Sequence, residues 1–209
     1  MYFKDRRDAG KKLAKALEQY RDVQPIVYAL PRGGVVLGGE VARALHAPLD
    51  LVITRKIGHP SEPEYAIGAV TEAGDLLCNE AEVETIDPEW LKQAVERERN
   101  EAARRRKVYL SDRPHISARG VTAIIVDDGA ATGLTLRVAV MALQKEHPKK
   151  IVIAVPVAPS DVVAVLQKET DEVITLTDGE EYLGAVGSYY EHFPQVSDEE
   201  VIALLNEQK

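Results

Sequence analysis

Residues Val121 to Thr135 read V-T-A-I-I-V-D-D-G-A-A-T-G-L-T. A short apolar run ends in two adjacent carboxylates; a small-residue loop then closes on Thr-Gly and enters a helical pattern. That layout predicts a parallel strand, a ligand loop and a helix N-terminus. In open α/β sheets, ligands sit beyond the carboxyl ends of the strands. Small side chains leave the loop N–H groups open, and the following helix points the positive end of its dipole at the same spot, which suits an anion. No Gly-Lys-Ser/Thr follows the glycines, so this is not a Walker loop. Asp127 and Asp128 would repel a phosphate placed directly beside them. They are expected to bind another part of the same ligand, such as vicinal hydroxyls or a metal ion, and a sugar phosphate satisfies both halves. The competing reading is a plain βα turn whose carboxylates only solvate the strand end.

Two earlier stretches have the same grammar. Ile26 to Leu45, I-V-Y-A-L-P-R-G-G-V-V-L-G-G-E-V-A-R-A-L, runs from a strand pattern through Pro31, Arg32, Gly33 and Gly34 into a helical pattern. Arginine suits forked contact with phosphate oxygens, and the two glycines allow positive φ or close approach of backbone to ligand. Leu51 to Ala69 begins as a β-rich run ending at Arg55-Lys56, followed by a segment with Gly58, Pro60 and Pro63 that is expected to be irregular. Each stretch alone reads as a tight turn or a solvated strand end. Their succession, three phosphate-suited loops in one order, favours a shared site.

Together these residues resemble the type I phosphoribosyltransferases, which bind 5-phosphoribosyl 1-pyrophosphate (PRPP). The resemblance implies that Asp127 and Asp128 hold the ribose 2′ and 3′ hydroxyls and meet Mg²⁺ only indirectly, through PRPP or water. It gives the 5′-phosphate to Ala130, Ala131, Thr132, Gly133, Leu134 and Thr135. Pyrophosphate falls to Arg32, Gly33 and Gly34, in a loop that often has a strained peptide bond, and to Arg55 and Lys56 after the second core strand. Arg32, Arg55 and Lys56 are then the candidate catalytic residues, stabilising the departing pyrophosphate with Mg²⁺. A flap around His59 to Tyr65 would exclude water, with Glu64 as a candidate acid/base group. A hood made from the chain termini would cover the acceptor, and Tyr182, Tyr189 and Tyr190, beside Phe193, are its candidate stacking rings. Ala131 stands where the hypoxanthine-guanine branch has an acidic residue, a departure shared with the adenine branch. The implied activity is transfer of the phosphoribosyl group to a nitrogen nucleophile, with the acceptor open and a homodimer expected. The alternative is a PRPP-sensing regulator that binds RNA or a protein partner, permitted by the basic run Arg104 to Lys107.

The rest of the chain frames this reading. Twenty-six Lys and Arg against 34 Asp and Glu give a net charge of −8, which argues against a general nucleic-acid binder. Cys78 is the sole cysteine, so no internal disulfide framework can form, and a reducing cytoplasm fits. The start, M-Y-F-K-D-R-R-D-A-G, lacks a hydrophobic signal segment, and no run approaches the ~20 apolar residues of a membrane span. A cytoplasmic protein without membrane or nucleic-acid partners is expected. Strands are predicted at 26–30, 50–54, 121–126, 151–156 and 172–176. Helices are predicted near 5–20 and at 35–46, 88–110, 133–146 and 159–168, with a hairpin about Ala73-Gly74 and a capped final helix from Ser197. The predicted fold is α/β, a doubly wound parallel sheet of about five strands flanked by helices, in one domain over 1–209. Its core spans about 24–178, the hood about 1–20 and 179–209, and the flap with the long helix about 57–115. The second half of that helix, E-R-E-R-N-E-A-A-R-R-R-K, reads as a solvated, charge-paired face.

Overall fold

A computed structural model describes residues 3–111, 113–177 and 182–207. After helix α1 (Arg6–Ala16) come β1 (Ile26–Ala29), α2 (Gly33–Leu45), β2 (Leu49–Leu51), β3 (Thr54–Gly58), β4 (Ala66–Thr71), β5 (Leu76–Cys78), α3 (Glu80–Val83) and α4 (Pro88–Leu110). The second half continues with β6 (Thr122–Val126), α5 (Leu134–Gln144), β7 (Lys150–Val155), α6 (Ser160–Glu169), β8 (Glu172–Thr175) and α7 (Asp198–Asn206). Five strands form a parallel sheet in the order β2-β1-β6-β7-β8. Every residue of β1 and β6 is buried, as a central parallel strand covered on both faces requires. Alternate residues feed two cores. Val27, Ala29, Ile124 and Val126 pack towards α1, α2 and α7, while Tyr28, Ala123, Ile125 and Ile153 pack towards α5 and α6.

The chain winds outward from β1 to β2 on one side and from β6 through β7 to β8 on the other. Strands β1 and β6 therefore flank the switch point, where such sheets open a crevice at their carboxyl ends. In register, Ala29 pairs with Val126, and the Leu30 N–H donates to the Val126 carbonyl at 2.9 Å. The two loops singled out by sequence thus begin side by side.

The run from Leu51 to Lys56 is not one core strand, contrary to the sequence expectation. The Val52 N–H makes the last bond to the main sheet, at Ala29 O. The chain then crosses to a separate antiparallel sheet, β3-β4-β5. Ile57, Ile67 and Val70 bury there against Ile86 and Ala94, a core of its own that draws the strand away. A run of β-branched residues needs no Gly or Pro to change sheets, so the break left no mark in the sequence. The predicted hairpin forms as β4–β5, with Gly74 at φ +94° in its turn. The segment expected as a flap forms the β3–β4 turn, where the His59 N–H donates to Tyr65 O at 2.8 Å.

Helix α4 has its expected bounds, with Asp87 capping the Glu89 N–H. Residues 96–107 of its second half form the largely solvated, charge-paired face that the sequence suggested, with Glu101 holding both Arg104 and Arg105. Ala102, Tyr109 and Leu110 are buried in the core beneath α1, α2 and α7. The two ends of the described chain meet: Phe3 bridges Tyr190, and the Glu191 N–H donates to Phe3 O. Among the described residues no helix is long and apolar enough to cross a membrane.

Candidate functional site

Gly33 and Gly34 begin α2 at the point where Asp127 and Asp128 leave β6. A Cβ built on Gly34 would lie 2.7 Å from Val126 O and 2.9 Å from Asp127 Cα; one on Gly33 would lie 1.9 Å from Asp128 Oδ2. Only glycine lets the two loops come this close. The Pro31–Arg32 peptide bond in this loop is cis. On the other side, Gly129 (φ +155°) and Gly133 (φ +73°) bend residues 129–133 into the N-terminus of α5, with Gly133 as its cap. Ala131 and Thr132 are exposed there. The first turn of a helix has N–H groups without intrahelical acceptors, so Leu134 and Thr135 present donors to this opening. Ala130 differs from its neighbours. Its side chain is buried, and its N–H donates to Val157 O at 2.9 Å, so it anchors the loop. A cavity of about 510 Å³ adjoins the loop, lined by Thr132, Leu134, Arg137, Cys78 and the flap residues Tyr65 and Ala66.

Both carboxylates are held by the fold. The Asp127 side chain accepts from the Asp128 N–H at 2.8 Å. Arg6, from the first turn of α1, places Nε 2.8 Å from Asp128 Oδ2; the two side chains are 11% and 17% exposed. The same guanidinium donates to Pro194 O at 2.6 Å and lies 3.7 Å above the Phe193 ring. Burial, and next the charge of Asp128, hold the Asp127 carboxyl well above the usual carboxylate range. Burial raises Asp128 too, against the pull of Arg6. A pair so placed gains from any incoming hydrogen-bond donor or cation, which is what sugar hydroxyls or a metal-bound water offer.

Arg32 is the cap residue of α2, and its Nη1 lies 3.6 Å from Asp198 Oδ1 on α7. Asp198 also accepts from the Tyr109 hydroxyl at 2.6 Å and has Arg104 Nη2 at 3.7 Å from Oδ2. The Tyr109 hydrogen bond and the nearby arginines lower its pKa, so it is charged at neutral pH. Arg55 and Lys56 divide. Arg55 pairs with Glu98 of α4 at 2.9 Å, on the sheet face that carries Ile57. Lys56 pairs across the sheet with Ala69, whose side chain packs with Leu134 and Val138 of α5. It therefore lies on the face towards the anion loop, where its Nζ is 3.2 Å from Glu64. The structure brings Lys56 to the site's side and turns Arg55 away.

The proposed stacking rings divide as well. Tyr189 is 2% exposed and its hydroxyl accepts from the Leu183 N–H. Tyr190 is 7% exposed, stacked between Phe3 and Phe193, and its hydroxyl donates to Asp128 O at 2.6 Å. Neither ring presents a face to a ligand; Tyr190 instead pins the carboxylate loop to the hood. Tyr182 is half-buried against Tyr189. Sequence reasoning missed Arg6 and Asp198. One signal for Arg6 was readable: Arg6 and Arg7 occupy the first turn of a helix, where the dipole disfavours cations, so a tertiary partner was to be expected.

No group of three or more His, Cys, Asp or Glu able to hold a metal ion occurs among the described residues. Two adjacent carboxylates fit a Mg²⁺ that keeps its waters and is held mainly by a ligand's phosphates, the usual mode for that ion.

The chain is 39% identical over 206 residues to "Putative phosphoribosyl transferase" proteins from two strains of Mycobacterium tuberculosis. The match covers 98% of this chain and 46% of each relative, so the chain spans about half the length of these relatives. The crystal structure of TT1426 from Thermus thermophilus superposes with a TM-score of 0.82 at 40% identity, covering 100% of this chain and 99% of that one. The model of the phosphoribosyl transferase domain matches residues 4–189, and the chain belongs to that family.

Proposed function

We propose that the chain is a PRPP-dependent transferase that moves the 5-phosphoribosyl group to a nitrogen nucleophile and releases pyrophosphate. The observation that carries this reading is the meeting of Gly33 and Gly34 with Asp127 and Asp128 at the switch point, with the anion loop of α5 opening beside them. One ligand with a phosphate, vicinal hydroxyls and a diphosphate satisfies all three elements. The first turn of α5 and the Thr132 side chain hold the 5′-phosphate. Asp127 and Asp128 accept from the ribose hydroxyls and hold Mg²⁺ through water or through PRPP. Bound there, Mg²⁺ supplies positive charge against the diphosphate.

Bond breaking at ribose C1 places positive charge on the sugar and negative charge on the leaving group. The carboxylates lie on the sugar side, while Arg32, the N–H groups opening α2, and Lys56 lie on the diphosphate side. Charges fixed before the reaction need no reorganisation during it. The flap between β3 and β4 covers the anion loop and keeps water from C1. The acceptor enters from the hood. A cavity of about 290 Å³ there, lined by Arg6, Val36, His192, Pro194, Val196 and Leu204, shares Arg6 with the carboxylates. That volume suits a single heterocycle. The basic run of α4 lends little to the RNA-binding alternative: Arg105 is matched by Glu101 and Arg106 by Glu72.

A panel of nucleobases and small amines incubated with PRPP and Mg²⁺, read by pyrophosphate release, tests the reaction. Calorimetric titration with PRPP tests the site. No heat of binding at millimolar PRPP would refute the assignment.

A further inference from the structure

The basic run of α4 is the motif that this function leaves unused, and one of its members reaches the site. Asp198, in the first turn of α7, lies 3.6 Å from Arg32 Nη1 through Oδ1 and 3.7 Å from Arg104 Nη2 through Oδ2. One carboxylate thus spans an arginine of the diphosphate loop and an arginine of the long helix. We propose that Arg104 is a further pyrophosphate-binding residue and that Asp198 stands in for the diphosphate in the ligand-free chain. The inference rests on the reading of the Arg32 loop given above.

Three features support it. Both arginine contacts to Asp198 are longer than the 2.7–2.9 Å of a charge-assisted hydrogen bond, so Asp198 holds Arg32 only loosely and leaves Arg104 Nη1, which Glu101 does not engage, open to a ligand. A diphosphate, with more oxygens and more charge, can engage both at once. Next, Arg104 is aimed. Glu101 takes its Nε at 2.7 Å and one Nη2 hydrogen at 3.0 Å, which fixes the guanidinium plane while half of the side chain stays exposed. Last, Asp198 keeps a partner if it is displaced, because the Tyr109 hydroxyl donates to it from α4 itself. Diphosphate binding would exchange Asp198 for ligand oxygens without leaving a buried charge unpaired.

The test is calorimetric titration of inorganic pyrophosphate with Mg²⁺ into the full chain. Arg104→Gln is expected to weaken binding about tenfold, the size of one charge-assisted contact. Arg104→Lys, which keeps the charge without the fork, should fall between the two. Asp198→Asn should strengthen binding several-fold, since the competing charge is gone and Tyr109 keeps an acceptor. Lys107→Gln, an equal loss of charge on the exposed face of the same helix, should leave affinity unchanged. Wild-type affinity in Arg104→Gln, with binding lost in Arg32→Ala, would overturn this inference alone. Wild-type affinity in Arg32→Ala as well would overturn the site reading beneath it. Weaker binding in Asp198→Asn would overturn the stand-in role. Far-UV circular dichroism confirms folding, and the Lys variant carries the test should the Gln variant be unstable.

Discussion

Adding one methyl group at Gly33 should damage the site more than the fold. In Gly33→Ala the new Cβ falls 1.9 Å from Asp128 Oδ2, 2.6 Å from its Cγ and 2.9 Å from Arg6 Nε. Real Cβ contacts essentially never fall below 3.0 Å, so the carboxylate must retreat by at least about 1 Å. That retreat strains the 2.8 Å contact with Arg6, which is itself crowded by the same methyl. Overpacking of this kind costs about 2 kcal/mol, or roughly 4–8 °C in Tm for a chain this size. Misplacing a binding group by ~1 Å costs about 100-fold in function, so PRPP affinity should fall by about that factor. The assay is scanning calorimetry paired with titration of PRPP and Mg²⁺. Gly34→Ala is the contrast. Its Cβ meets backbone, Val126 O at 2.7 Å and Asp127 Cα at 2.9 Å, so it should lose more stability than Gly33→Ala. A Gly33→Ala protein with wild-type Tm and affinity would refute the claim that these loops share one site.

Asp128→Asn keeps an oxygen for Arg6 but loses the charge that a sugar hydroxyl would bind; PRPP affinity should fall about 10- to 100-fold with the circular dichroism spectrum unchanged, and unchanged affinity would remove Asp128 from the site. Arg55→Ala should lower stability by about 1 kcal/mol, by leaving the mostly buried Glu98 with only Arg97, 3.3 Å away, as its partner, and leave pyrophosphate affinity intact, whereas Lys56→Ala should do the reverse; titration and chemical denaturation of both variants decide. His115 bridges Asp50 (2.9 Å) and Glu146 (2.8 Å), and the Asp50 hydrogen bond heads the causes that raise its pKa. A raised folded-state pKa stabilises below the unfolded value of about 6.5 and is lost as pH rises through the folded one. Wild type should therefore exceed His115→Asn in unfolding free energy by more at pH 6 than at pH 9, and a pH-independent difference would refute the pairing.

The central strands were legible because burial on both faces leaves unbroken apolar runs, and β1, β6 and β7 fall within a residue or so of their predicted bounds. The two glycine loops that meet at the switch point were legible because glycine and proline mark what the backbone must do. The second strand was not: Val52, Ile53 and Thr54 carry β propensity through the point where the chain changes sheets, and propensity does not name a partner. Helix α4 was legible as a charge-paired, largely solvated face, but its buried contact at Ala102 was not, because one small residue within a dense run of charges does not register as apolar.

The hardest features to read were the site's own counter-charges. Arg6 meets Asp128 across 122 residues of sequence, and Asp198 meets Arg32 across the length of the sheet domain. Neither pair has a local pattern, because the contact exists only once both termini fold back over the switch point. Yet their presence follows from the site's electrostatics. Two adjacent carboxylates that are largely removed from water need a positive charge beside them, and a partly buried arginine needs a negative one. The first and last helices supply both, a cation from α1 and an anion from α7. A search for further site residues in this fold therefore begins with charges in helix first turns that no local partner explains.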